Sequence, residues 1–356
     1  MTAITSSNGT ITQVPGRVKK GFGYRIGWVL LTLLVLFVGL SVIGATYQAI
    51  ATQIDQGNYP PPGQMVDVGG YKLHINCVGE GSPTVILDAV GGGSSTQWAL
   101  IQPELAATAR VCAYDRAGFG WSEPGFEPRD ARQQVDELRT LLANADVADP
   151  YVLVGHSYGG RVARVYAAQH PDEVAGLVLV DTGIPYQDSR LPQEYHNEYA
   201  AEERMINSLR WLAPLGIVRL FVTAGVGPTA EDYDLPALQR AQARTFNVTA
   251  KFWQSIARQT AAMPATDAQE RAVTTLGDMP LVVLSATLPA DETRRAWNEF
   301  SAELVGLSSN SDYRLVEGAT HMSLVLKQEH AQAIVEAIFQ VIQNARTGQP
   351  LTRAEN

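Results

Sequence analysis

Between residues 151 and 171 the chain reads YVLVGHSYGGRVARVYAAQHP, and this stretch narrows the possible folds more than any other. An apolar run ends at Gly155, and a segment with small and apolar residues at helical spacing follows Gly159. Between them, Gly155-His156-Ser157-Tyr158-Gly159 fits the pattern G-x-S-x-G. A sharp strand-to-helix turn of this kind holds its serine in a strained backbone conformation with the hydroxyl exposed. The flanking glycines fit a turn where neighbouring chain segments approach too closely for side chains. The N-terminus of the following helix also favours negative charge developing at the site. Ser157 is therefore a candidate nucleophile, and a serine hydroxyl needs an adjacent base.

Five nearly continuous apolar runs frame that turn: TVILDAV (84–90), RVCAYD (110–115), YVLVG (151–155), GLVLVD (176–181) and LVVLS (281–285). Helical stretches such as 129–144 and 160–170 separate them, which predicts strands buried on both faces of a parallel sheet. Before them, MVDV, Gly69-Gly70 and YKLHINCV alternate across a glycine turn as a hairpin does. YRLVEG (313–318) reads as the last strand, ahead of a closing amphipathic helix from about Glu329 to Ala345. Residues 183–275 lack a strand run and favour helix, so they read as a helical insertion, or cap, between the fifth and sixth parallel strands. Of six histidines, His74 falls on the hairpin, His156 inside the turn, His170 at a helix end, His196 in the cap and His330 in the closing helix. His321, in VEGATHMS, directly follows the last strand on the sheet edge that carries Ser157. It is the candidate general base.

The order Ser…acid…His on such a sheet resembles the α/β-hydrolase superfamily over roughly residues 65–345. The resemblance includes YDRAGFGWS (114–122), similar to the superfamily's D-R-x-G-x-G-x-S stretch, and LDAVGGGSSTQW (87–98). It implies an α/β fold: a mostly parallel eight-stranded sheet with helices on both faces. The core is expected at 65–182 and 276–346 and the cap at 183–275. It also implies an oxyanion hole from the amides of Tyr158 and Gly91, with Val90 or Gly92 as alternatives to the latter. Asp115 and Arg116 then hold their turn by ion pairing. The superfamily usually supplies the acid in the turn after LVVLS, here ATLPADET, where Asp291 sits a couple of residues late. A minority place it at the end of the preceding strand, where this chain has Asp181; Asp181 is favoured and Asp291 is the alternative. In this sheet the second strand runs antiparallel beside the fourth, which makes Cys77 and Cys112 neighbours and implies a disulfide.

Serine at 157 sets the chain apart from haloalkane dehalogenases and epoxide hydrolases of this fold, which attack with aspartate. The expectation is a serine hydrolase, most simply a carboxylic ester hydrolase, acting through an acyl-enzyme on a small, lipophilic acyl substrate. Two rivals stand beside it. One is a non-catalytic protein binding a small ligand under the cap; the other is a perhydrolase or haloperoxidase-like activity of the same triad. No Cys or His cluster has metal-ligand spacing and no phosphate-binding glycine motif appears, so no cofactor or metal is expected.

The N-terminal part carries a separate signal. Ile26–Thr46 is 21 residues without a charge, roughly 31 Å as helix and close to a bilayer's hydrocarbon thickness. Arg17, Lys19, Lys20 and Arg25 precede it with no acid among residues 1–25. The positive-inside rule then predicts a cytoplasmic N-terminal segment (1–25), a span (26–46) and an extracytoplasmic catalytic domain. A linker is expected at 47–64, since Gly57, Asn58 and Pro60-Pro61-Pro62 oppose a continuing helix; residues 347–356 read as a tail. Beyond residue 25 the chain holds 36 acidic residues against 23 basic, a balance that disfavours nucleic acid as a partner. The sequons at Asn8 and Asn247 are read as chance matches.

Overall fold

In the computed structural model, residues 21–184, 186–226 and 233–351 are described. Eight strands form one sheet: β1 (Gln64–Asp67), β2 (Lys72–Val78), β3 (Thr84–Asp88), β4 (Val111–Tyr114), β5 (Tyr151–His156), β6 (Val174–Val180), β7 (Leu281–Leu288) and β8 (Ser311–Thr320). Their order is β1-β2-β4-β3-β5-β6-β7-β8. The pairs β1/β2 and β2/β4 are antiparallel and the rest parallel.

The continuous apolar runs follow from what covers the sheet. Ile86, Leu153, Leu177 and Val283 pack on one face into a core with Leu138, Leu141 and Val162. Their chain neighbours Val85, Val152, Val178 and Val282 pack on the other with Ile334, Ile338 and Val341. Alternate residues point to opposite faces, so a strand covered on both faces must be apolar at every position. The covering helices are those the spacing predicts, with small shifts of boundary.

Numbered along the chain, the longer helices are α1 (Phe22–Asn58), α2 (Ala131–Asn144), α3 (Tyr158–Gln169), α4 (Gln193–Leu212), α5 (Ile217–Thr223), α6 (Ala237–Asn247), α7 (Ala250–Ala261), α8 (Met263–Arg271), α9 (Glu292–Glu303) and α10 (Gln328–Thr347). Helices α4–α8 form the cap. It leaves the sheet after β6, the fourth parallel strand in chain order rather than the fifth. Buried charges fasten it to the core: Arg161 on α3 pairs with Asp267 and Glu270 on α8, and Arg164 with Glu270.

The pairing register sets Cys77 of β2 against Cys112 of β4, and the two form a disulfide with Cα atoms 4.0 Å apart.

The expected linker is mostly absent. Helix α1 continues to Asn58 and stops only before the three prolines, with the Tyr59 amide donating to the Asp55 carbonyl. From Phe22 to Leu40 every residue is exposed, whereas Ser41, Gly44, Gln48, Thr52 and Asp55 are covered at helical spacing. Small and polar residues on that stripe dock the helix on the cap, and this docking outweighs the weak helix preference of Gly57 and Asn58. Helix α1 is the one described helix long and apolar enough on its own to cross a membrane; a signal sequence passes the same test. The basic residues Arg17, Lys19 and Lys20, the Asn8 sequon and residues 352–356 lie outside the described residues.

Candidate active site

Strand β5 turns directly into α3, and Ser157 occupies the corner at φ 55° and ψ −114°. A non-glycine residue persists there only when its surroundings fix it. The Ser157 amide donates to the Val180 carbonyl at 2.9 Å, and its carbonyl accepts from Thr182 Oγ1 at 3.0 Å. A Cβ at Gly155 would overlap the backbone of Gly159 and Gly160, and one at Gly159 the carbonyls of Asp88 and Ala89. The motif's glycines are thus required by close approach of three chain segments.

His321 lies in the turn after β8. Its Nδ1 is 2.6 Å from Oδ2 of Asp181, the residue at the end of β6. Asp181 is fully buried, and its Oδ1 accepts from the Ala286 amide at 3.2 Å and from Arg294 Nη1 at 2.8 Å. Burial opposes ionisation of Asp181, but the hydrogen bond and charge of His321, joined by Arg294, hold its carboxyl down at about 2. Asp291 does other work: its Oδ1 accepts from the Arg294 amide at 2.7 Å and caps α9. Between the two aspartates, Asp181 is the one that holds His321.

His156, also in the motif, is not a competing base. Burial, and then the neighbouring His321, push its pKa down to about 3; its Nε2 lies 3.0 Å from the His321 carbonyl oxygen. A neutral ring there donates to that carbonyl and braces the His321 turn.

The loop after β3 approaches Tyr158. A Cβ at Gly91 would stand 3.5 Å from that of Tyr158 and 3.2 Å from Gln259 Nε2. The Val90 amide is engaged by Gln97 Oε1 at 3.2 Å. Arg116 fixes this loop: it donates to the Ala89 carbonyl at 2.7 Å and the Val90 carbonyl at 2.6 Å, and pairs with Asp88. Asp115 serves a different turn, accepting from the Ser95 amide at 2.6 Å and the Trp121 amide at 3.0 Å beside His74. The expected ion pairing within their own turn is thus not what holds it: Arg116 pairs with Asp88 and fastens the loop after β3, while Asp115 holds the turn through backbone amides. Arg294 and Gln259 carry no sequence signal; they reach the site from an ordinary helix and from the cap.

Ser157, Tyr158, Gly91, His321 and Gln259 line one cavity of about 1230 Å³ between core and cap. Gln259 is buried, and its Oε1 lacks a hydrogen-bond partner among the described residues. No group of three His, Cys, Asp or Glu among the described residues could hold a metal ion.

Residues 83–326 match the family described as alpha/beta hydrolase fold, which is more than half of the chain. The chain belongs to the α/β-hydrolase fold family. Among curated relatives, an uncharacterized protein of Schizosaccharomyces pombe is 33% identical over 209 residues, 49% of this chain and 37% of that protein. The 2-hydroxymuconate semialdehyde hydrolase of a Pseudomonas species is 34% identical over 129 residues, 35% of this chain and 44% of that enzyme. The chain thus spans less than half the length of either. Among solved structures, a provisionally named lipase from Acinetobacter baumannii superimposes with TM-score 0.61 at 20% identity, covering 85% of this chain and 97% of that one. The epoxide hydrolase CorEH does so with TM-score 0.57 at 21% identity, covering 79% and 98%. At such identities these two share the hydrolase fold and nothing narrower.

Proposed function

We propose that this α/β-hydrolase is a serine hydrolase that cleaves an ester or related acyl bond through a covalent acyl-enzyme. The observation that carries the reading is the 2.6 Å contact between His321 Nδ1 and the buried Asp181 carboxylate, with His321 and Ser157 lining the same cavity. With Nδ1 committed to Asp181, Nε2 is the ring nitrogen left to take the Ser157 proton as the hydroxyl attacks the acyl carbon. The amides of Tyr158 and Gly91 receive the oxyanion. His321 then protonates the leaving group and, in the second half-reaction, draws a proton from the water that releases the acyl group. The strained Ser157 backbone supports this reading over a ligand-binding protein, which has no need of it.

Helix α1 is read as a membrane span with its N-terminus cytoplasmic. The charge-free Ile26–Thr46 supports this, as does the Cys77–Cys112 disulfide, since such bonds persist in oxidising compartments.

A fluorophosphonate probe applied to the full chain in detergent tests the chemistry without knowledge of the substrate. Labelling of the wild type that disappears in Ser157→Ala is expected. A folded wild type that stays unlabelled overturns the hydrolase reading in favour of a binding protein.

A further inference from the structure

The docking of α1 on the cap fixes which surface of the cap faces the membrane. Gly44, two residues before the end of the expected span at Thr46, lies so close to the Leu215 carbonyl that a side chain would not fit between them. Further along, Arg219 of α5 pairs with Asp55 at 2.6 Å and donates to Gln48 Oε1 at 3.0 Å, while Gln48 donates to the Val248 carbonyl at 3.0 Å. The helix and the cap are thus joined over residues 44–55, and the turn into α5 stands level with the last turn of the apolar run. Beside it the cap exposes large apolar side chains that soluble surfaces seldom gather: Trp211 is 70% exposed, Phe221 57%, Val226 57% and Leu220 56%. Val222 and Val226 of the same segment also line the cavity that holds Ser157.

We propose that this patch, formed by Trp211, Leu220, Phe221 and Val226, rests in the outer boundary of the bilayer that α1 crosses, and that lipophilic substrate enters the cavity from the lipid. A bilayer that accommodates residues 26–46 meets the patch, because the helix–cap joint begins inside that run. An exposed tryptophan among apolar residues suits the headgroup boundary. An apolar molecule leaving the bilayer there reaches the cavity past Val222 and Val226 without crossing water. The inference rests on reading α1 as a span.

The test places the full chain in phosphatidylcholine vesicles with one added cysteine, Val35→Cys or Phe221→Cys, carrying an environment-sensitive nitrobenzoxadiazole label; both native cysteines are already paired. Doxyl-labelled lipid should quench both positions, and aqueous iodide neither. If Val35 is quenched by lipid and Phe221 by iodide, the span holds and this inference fails. If lipid quenches neither, the span reading falls and takes the inference with it. A Phe221 label shielded from both quenchers means that a protein surface covers the patch, which also overturns it. Activity supplies a second readout. Leu220→Glu with Phe221→Glu should lower turnover of a long-chain nitrophenyl ester dissolved in the vesicles about tenfold or more, the loss expected when large apolar side chains no longer enter lipid. Turnover of a short, water-soluble nitrophenyl ester should be unchanged, and equal loss on both substrates overturns entry from the lipid.

Discussion

Replacing Asp181 by asparagine keeps its shape and removes its charge, and the surroundings decide what the new amide does. Arg294 Nη1 lies 2.8 Å from Oδ1 and 3.0 Å from Oδ2, but Oδ1 alone also receives the Ala286 amide, at 3.2 Å. Asparagine therefore turns its carbonyl oxygen to that side and its NH2 towards His321 Nδ1, now 2.6 Å from Oδ2. A donor facing Nδ1 makes that nitrogen an acceptor and moves the ring proton to Nε2, the atom that accepts from Ser157 in the proposed mechanism. Charge stabilisation of the imidazolium is lost as well. In a serine triad this combination is worth about 10⁴ in rate, or about 5 kcal/mol of barrier. The assay is the second-order rate of fluorophosphonate inactivation, with circular dichroism confirming the fold. Asp291→Asn is the matched control. It caps α9 through Oδ1, asparagine caps as well as aspartate, and its rate should stay within about twofold of wild type. If Asp181→Asn reacts within tenfold of wild type, or if Asp291→Asn suffers the large loss, the assignment of the acid is wrong.

The same carboxyl sets a pH dependence of stability. Its folded pKa of about 2 lies below the ordinary 3.8, so its ionised form favours the folded state, fully above pH 4 and progressively less as pH falls to 2. Urea midpoints of wild type and Asp181→Asn should differ at pH 6 and converge near pH 2; a constant gap contradicts the depressed pKa. Removing the disulfide with Cys77→Ser and Cys112→Ser opens a loop spanning 35 residues, a loss of about 3–4 kcal/mol measured by urea unfolding; an unchanged midpoint counts against a formed bond. Glu270→Gln leaves Arg164, which is buried, without its carboxylate and should cost about 3 kcal/mol or more. Arg164→Met with Glu270→Leu should recover much of that, and failure to do so means the cap is held by other contacts.

How far the sequence alone reaches depends on the range of the interaction that places each residue. The Ser157 corner is specified by its own neighbours: glycines where backbones touch, an apolar strand before and a small-residue helix after. That constraint is local and therefore legible, as are strands whose two buried faces demand apolar residues throughout. The choice between Asp181 and Asp291 is different in kind, because both occupy plausible chain positions and only the distance to His321 across the sheet edge separates them. Arg294, 113 residues from Asp181, and Gln259, reaching Gly91 from the cap, leave no periodic or spacing signal. The junction after the apolar helix shows the same limit. Gly57, Asn58 and three prolines announce a linker, yet the helix persists to Asn58 because Gln48 and Asp55 engage Arg219, 171 and 164 residues away. Local preference for leaving the helix amounts to about 1 kcal/mol at the glycine, which those bonds, both donated by the Arg219 guanidinium, can offset. The consequence reaches the site. A flexible linker would let the hydrolase-fold domain turn freely about the apolar helix, whereas a helix bonded to the cap gives the cavity mouth one orientation relative to it.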